Sequence, residues 1–250
     1  MRNRDIGIET LSENVYESLR KEISNLEIKP GTILTENDIS VKYNISRSPV
    51  RSVFQKLKDD GLITAIPYKL SYVSQLDMNR IMEVIYMRIA VESAIMRDFI
   101  LLDDKKSLRK MERNLEDQLD LLSEKVEFED FEKLDSQFHK IMYQALGKME
   151  VWNIIQKAEL SYTRFKLLDL VAVGKFNEIY DDHATFLDII KNKRIDEIEI
   201  AYKKHLYSGI HRLRDVVFTD YLDYFTEETN EECIKQIDKV LVSVYGSISG

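Results

Sequence analysis

Leu11, Val15, Leu19, Ile23 and Leu26 recur at steps of three and four residues, which places them on one face of an amphipathic helix. Lys29-Pro30-Gly31 stops it. A shorter helix fits Thr35 to Tyr43, with Thr35 as N-cap, Glu36 and Asp38 at the positive end of the helix dipole and Ile39 facing inward. Asn44, which tolerates a left-handed backbone, breaks the chain before a third helix. That helix starts at Ser46, whose hydroxyl is a natural cap, keeps Pro49 in its first turn, turns Val50, Val53, Phe54 and Leu57 inward, and is closed by Gly61. From Leu62 to Val73 the pattern switches to two short β-type runs separated by Pro67-Tyr68-Lys69-Leu70, a hairpin.

Beyond Ser74 to Met78 the helical period resumes and hardly stops. It predicts helices over Asn79–Leu101, Asp104–Ser123, Glu127–Leu146, Val151–Leu170, Asp181–Lys191 and Ile195–Phe218, and a tail helix within Glu231–Val244. The chain has 8 Gly and 3 Pro, and no Pro follows Pro67, so little punctuation interrupts this run. The expected fold is mainly α: an N-terminal winged helix-turn-helix over residues 1–75, and a C-terminal all-α antiparallel helical bundle over 79–218. Residues 219–250 read as an acidic, solvated linker, Asp220 to Glu232, followed by a C-terminal helix of unassigned role.

Composition narrows the class. No apolar run is long enough to span a bilayer, and Met1 to Glu9 lack the apolar stretch of a secretion signal, so the expected location is cytoplasmic. The single cysteine, Cys233, excludes a disulfide framework within the chain and any cysteine-based zinc site. The net charge of −8 at first argues against a polyanionic partner. Its distribution softens that: residues 1–75 carry 11 Lys and Arg against 10 Asp and Glu, while the remainder carries 25 against 34.

Ser46-Arg47-Ser48-Pro49-Val50-Arg51 puts two guanidinium groups and two hydroxyls at the amino end of the third helix. Arginine there can reach guanine O6 and N7 in the major groove, and hydroxyls can bind phosphate. Together with Lys29-Pro30-Gly31, Leu34-Thr35-Glu36 and the run Leu57 to Leu62, this order resembles the GntR family of transcriptional regulators over Val15 to Val73. The resemblance implies DNA contacts at Asn37, Arg47, Ser48 and Arg51, with Lys69 or its neighbours at the minor groove. One departure stands out: Leu70 occupies a wing position where the family usually has glycine.

Three of the four histidines fall at related positions in the second half. Asp135 and His139 are one helical turn apart on a common face, and His183 and His205 lie on two limbs of a hairpin turning near Asn192-Lys193-Arg194. At ~1.5 Å per residue both imidazoles reach a similar height. Three histidines and a carboxylate could thus converge on a divalent ion; donor type alone admits zinc, nickel, manganese or iron. A packed core histidine is the plainer reading of each. His211 lies about 240° round the helix from His205 and should point elsewhere.

Asn79 to Val216 resembles the FCD effector-binding domain found behind GntR-type heads, through Asp135-Ser136-Gln137-Phe138-His139, Asp182-His183 and Lys204-His205-Leu206. The resemblance implies metal ligands Asp135, His139, His183 and His205, beside a cavity for a small carboxylate effector. Arg88 matches a family arginine that could neutralise such an anion; an ion pair with Glu92, four residues on, is the alternative. Tyr162, Phe165, Tyr202 and Tyr207 line that cavity or, by the commoner use of aromatics, fill core. The expectation is a homodimeric, effector-responsive repressor on palindromic operator DNA. A metal-dependent enzyme built on the His/Asp set, and a constitutive DNA-binding dimer without metal, are the alternatives.

Overall fold

A computed structural model describes residues 2–66, 70–123, 126–158, 160–229 and 231–246. The N-terminal part is a winged helix-turn-helix: α1 (Arg2–Ser24), β1 (Ile33–Leu34), α2 (Glu36–Tyr43), α3 (Arg47–Asp59), β2 (Ile63–Ile66) and β3 (Leu70–Val73). Val15, Leu19 and Ile23 bury one face of α1 against Val50, Val53 and Leu57 of α3. Leu11 does not share that burial and is 44% exposed. The helix ends before Lys29-Pro30-Gly31, because Leu26 already turns the chain at φ 58°.

Local chemistry sets the turn between α2 and α3. Thr35 caps α2 by accepting from the Asp38 amide, and Asn44 closes it in the left-handed region at φ 51°. Ser46 takes the N-cap place of α3, but its hydroxyl makes no capping hydrogen bond. The sheet has one strand more than the hairpin pattern predicts. β3 pairs antiparallel with both β2 and the two-residue β1, in the order β1-β3-β2. Leu70 belongs to β3, paired with Ile66, so the chain is already in strand where the family has its glycine. Lys69 lies outside the described residues.

The second part is an all-α bundle around the long α4 (Met78–Leu102). It continues with α5 (Lys105–Leu122), α6 (Phe128–Ala145), α7 (Met149–Ala158), α8 (Leu160–Val173), α9 (Phe176–Lys191), α10 (Ile198–Asp220) and α11 (Glu231–Tyr245). The helix expected over Val151–Leu170 is two helices, α7 on α6 and α8 on α10. The expected Asp181 start moves back to Phe176, just after Gly174 turns at φ 68°.

The stretch expected to be a solvated acidic linker is instead packed. Tyr224, Phe225 and Thr229 are buried, and Phe225 forms a β-bridge with Leu76. Asp220, Asp223, Glu227, Glu228 and Glu232 are exposed, while Tyr224 and Phe225 supply the burial. Beyond it, α11 presents Cys233, Ile237, Leu241 and Val244, at helical spacing, to the bundle core. Among the described residues no helix is long and apolar enough to cross a membrane.

Candidate metal centre and DNA-reading helix

Three helices bring the metal candidates together. α6 carries Asp135 and His139 one turn apart, α9 supplies His183, and α10 supplies His205. One donor atom from each of the four lies within 4.8 Å of all the others, and all four residues are buried. The imidazole centroids stand 5.2 Å (His139–His183), 5.3 Å (His139–His205) and 5.2 Å (His183–His205) apart. His211, by contrast, stacks on Tyr245 with its ring 4.6 Å away.

Two of the rings have a hydrogen-bond partner at Nδ1, and the third has a carboxylate nearby. His183 Nδ1 is 2.9 Å from Gln118 Oε1, and His205 Nδ1 is 3.2 Å from Asp182 Oδ2. His139 Nδ1 lies 3.2 Å from Glu92 Oε2, an ion-pair distance without hydrogen-bond alignment. Phe138 stacks on His183 with centroids 4.4 Å apart, and the rings of Phe186 and Tyr202 flank His139. The Nε2 atoms of His139 and His183 are buried without a hydrogen-bond partner. A buried imidazole nitrogen in that condition is costly unless something fills the space it faces. The donor set, three imidazoles and a carboxylate, suits a borderline divalent ion, so the residues present fit a metal.

Electrostatics agree with that fit. Burial alone would raise Asp135, but Lys166 and the neighbouring imidazoles outweigh it and hold the carboxyl well below its usual range. Lys166 Nζ sits 2.8 Å from Asp135 Oδ2 and 3.5 Å from Glu132 Oε1. Burial lowers His139 and His183, which favours the neutral imidazole that a metal requires. Glu92 is likewise opposed by burial, yet Arg88 and His139 bring it down to about 2.

A cavity of about 20 Å³ opens beside the centre, reached by Asp135 and His205 and lined further by Arg88, Lys166, Ser208 and Arg212. Gly209 keeps it open: a Cβ there would stand 3.2 Å from Asp169 Oδ2. Every cation at its wall has an anionic partner. Arg88 Nε is 2.5 Å from Glu92 Oε1, with its guanidinium 5.0 Å from the Tyr162 ring centroid; Arg212 grips Asp169 and Glu178. Arg88 thus makes the Glu92 pair and lines the cavity as well. Tyr162 and Phe165 also border the cavity, Tyr202 lies against His139, and Tyr207 faces a separate groove.

On the head, Asn37, Ser46, Arg47, Ser48 and Arg51 are all exposed, at the amino end of α3 and the facing end of α2. Arg47 Nη2 donates to Asn37 Oδ1 at 3.2 Å, and Arg51 Nε pairs with Glu36 Oε2 at 3.0 Å. Sequence reasoning missed Glu36 in this role, and it missed Gln118, Asp182 and Lys166 at the metal centre. Only Asp182 carried a signal, as the residue adjoining His183.

A winged helix-turn-helix joined to an all-α bundle defines a DNA-binding regulator with a second, helical domain. The family models agree in both halves: that of bacterial regulatory proteins of the gntR family matches residues 11–73, and that of the FCD domain matches 83–208. The chain belongs to the gntR family of transcriptional regulators with an FCD domain, and it is not an enzyme. It is 28% identical over 218 residues to the HTH-type transcriptional repressor RspR of Escherichia coli (strain K12), covering 87% of this chain and 95% of that protein. The gluconate operon transcriptional repressor of Bacillus subtilis (strain 168) is 25% identical over 186 residues, 71% of this chain and 74% of that one. Among solved structures, E. coli McbR/YncC shares the fold at TM-score 0.64 and 16% identity, over 82% of this chain and 98% of that chain.

Proposed function

We propose that this chain is a repressor that binds a palindromic operator as a homodimer and is controlled by a small carboxylate effector beside a divalent metal. Residues 1–75 read DNA, and residues 79–218 sense the effector and dimerise. Arg47 and Arg51 contact base edges; Asn37, Ser46, Ser48 and Lys69 contact phosphate or the minor groove. Two heads on a two-fold axis match two half-sites. The outer face of α4 supports the dimer reading, since Tyr86 and Leu101 are 74% and 70% exposed on one stripe with Ala90 and Ala94 between them.

The observation that carries the sensor reading is the convergence of four buried donors within 4.8 Å, two of them imidazole nitrogens with no other partner. Asp135, His139, His183 and His205 would hold the ion, and a bound ion would supply positive charge that draws an anionic oxygen to the cavity. At about 20 Å³ the cavity has room for little more than one water. An effector therefore has to part the wall pairs, and Arg88, Lys166 and Arg212 are the cations it can recruit. That exchange of partners gives effector binding a structural consequence, the requirement for a shift between two states.

The test is metal analysis of the dialysed protein beside a variant with His139, His183 and His205 all changed to alanine. Near-stoichiometric metal in the parent and none in the variant is expected, followed by release from operator DNA in a screen of small carboxylates. One relative is named for a gluconate operon, which puts sugar acids first in that screen. Equal metal content in both proteins would overturn the ligand assignment.

A further inference from the structure

We propose that Gln118 is the positioning residue that sets which nitrogen of His183 faces the metal centre, an inference that rests on the metal reading above. The relay can be traced from a fixed point. Asn114 lies beside the backbone carbonyl of Leu134, 3.1 Å away, and a carbonyl can only accept; the amide of Asn114 must therefore present its N–H there. Its oxygen is then the atom facing Gln118, at 2.7 Å, so Gln118 must donate with Nε2. That leaves Gln118 Oε1, an acceptor, 2.9 Å from His183 Nδ1. His183 is consequently held with its proton on Nδ1 and a bare lone pair on Nε2, the nitrogen that lies 3.4 Å from Asp135 Oδ1.

Nothing in this relay is exposed to water that could replace a partner: Asn114, Gln118 and His183 are 5%, 0% and 0% exposed. Leu134 directly precedes Asp135, so one chain of hydrogen bonds ties the orientation of a ligand on α9 to the backbone that carries a ligand on α6. Gln118 differs from the groups nearest Nδ1 of the other two rings, which are the carboxylates of Glu92 and Asp182. A neutral acceptor orients the ring without adding a fourth carboxylate to a site that already holds Asp135, Glu92 and Asp182.

The experiment measures zinc affinity by competition with a fluorescent chelator, together with the His183 tautomer by nitrogen-15 NMR on metal-free protein. Gln118→Met keeps the length and removes the acceptor; zinc affinity should fall about 10- to 100-fold, with loss of the single Nδ1–H tautomer. Gln118→Glu retains an acceptor oxygen and should hold the Nδ1–H form. Should Gln118→Met fail to fold, Asn114→Ala removes the upstream anchor and should mix the tautomers. A parent protein with the proton on Nε2, or a folded variant that keeps both affinity and tautomer, overturns the proposal. The tautomer is read without metal, so a parent that binds no zinc defeats the metal reading and not this one.

A second inference comes from different residues: we infer that the segment after α10 clamps the interdomain linker and holds the head in one orientation. Leu76 N donates to Tyr224 O at 2.8 Å and Thr226 N to Leu76 O at 2.9 Å, while Gln75 Nε2 donates to the carbonyls of Asp223 and Phe225, each at 2.9 Å. From the other side Arg164, 1% exposed, donates to Ser74 O at 2.8 Å. Both flanks lead back to the cavity. Arg164 sits on α8 beside Phe165 and Lys166, and the clamp continues α10 beyond His205, Ser208 and Arg212. The match to the FCD model ends at residue 208, before the clamp.

Nitrogen-15 relaxation and amide exchange on the full chain test it. Head and bundle should tumble as one body, and a chain ending at Tyr221 should show a faster-tumbling head and about tenfold faster exchange at Leu76. If that chain misfolds, Gln75→Ala combined with Arg164→Met should give the same change. Independent tumbling in the parent, or no change in a folded variant, overturns the clamp.

Discussion

The head and the buried His/Asp cluster of this protein are built on opposite terms. The proposed reading residues at the start of α3, Ser46, Arg47, Ser48 and Arg51, lie close together in sequence and are exposed, and Arg51 is held by a side-chain pair with Glu36, whose members are 70% and 38% exposed. The candidate metal centre draws its four donors from three helices, buries all of them, and places Gln118 and Asp182 within hydrogen-bond distance of two of its rings. An exposed pair contributes little to stability and exchanges partners readily, which suits a surface that must give up its own contacts for DNA. A buried set is costly to disturb, which suits a site whose occupancy has to be felt by the rest of the fold. Substitutions should therefore be partitioned: large, global effects at the centre and smaller, DNA-specific ones on the head.

The largest expected effect is at His183. Changing it to alanine removes one donor and the partner of Gln118 Oε1, and the dialysed variant should retain no metal by elemental analysis. Lys166→Met comes next. It removes the cation 2.8 Å from Asp135 and leaves a buried carboxylate uncompensated, a loss of about 3 to 5 kcal/mol in the metal-free protein. Urea unfolding measures it, and saturating zinc should recover much of the loss by supplying the missing positive charge. Wild-type stability in the metal-free variant would show that Asp135 does not depend on Lys166. On the head, Arg47→Ala should weaken operator binding by about 1 to 3 kcal/mol and relax discrimination at one base position. Metal content should not change, and that independence is the sharpest check on the partition.

The same contrast explains what could be read from sequence. In the head, information is local: Thr35 caps α2 through an amide three residues away, Asn44 sits at φ 51°, and the arginines follow the cap of α3. β1 escaped notice because two residues have no period of their own; Ile33 and Leu34 are strand only because Tyr72 and Ser71 lie alongside. In the bundle, the clustering of Asp135, His139, His183 and His205 was legible through helical spacing and family resemblance. Their supports were not, since Gln118 and His183 are 65 residues apart and no periodicity links them. The acidic composition after Asp220 concealed Tyr224 and Phe225, whose burial depends on Leu76, about 150 residues earlier in the chain.

The smallest effect belongs to the support of the reading helix. Thr35 accepts from the Asp38 amide at 3.1 Å and donates to Asp38 Oδ2 at 2.7 Å, at an exposed helix end. Thr35→Ala should cost about 1 kcal/mol of head stability, the usual loss of an N-cap. Because α2 carries both Glu36 and Asn37, the partners of Arg51 and Arg47, fraying of its first turn should also loosen the two arginines. Operator affinity should then fall slightly, with no change in zinc binding by the same chelator competition. A Thr35→Ala protein that melts as the parent does but reads its operator less well would assign the threonine to DNA contact, and equal losses in both would assign it to the cap.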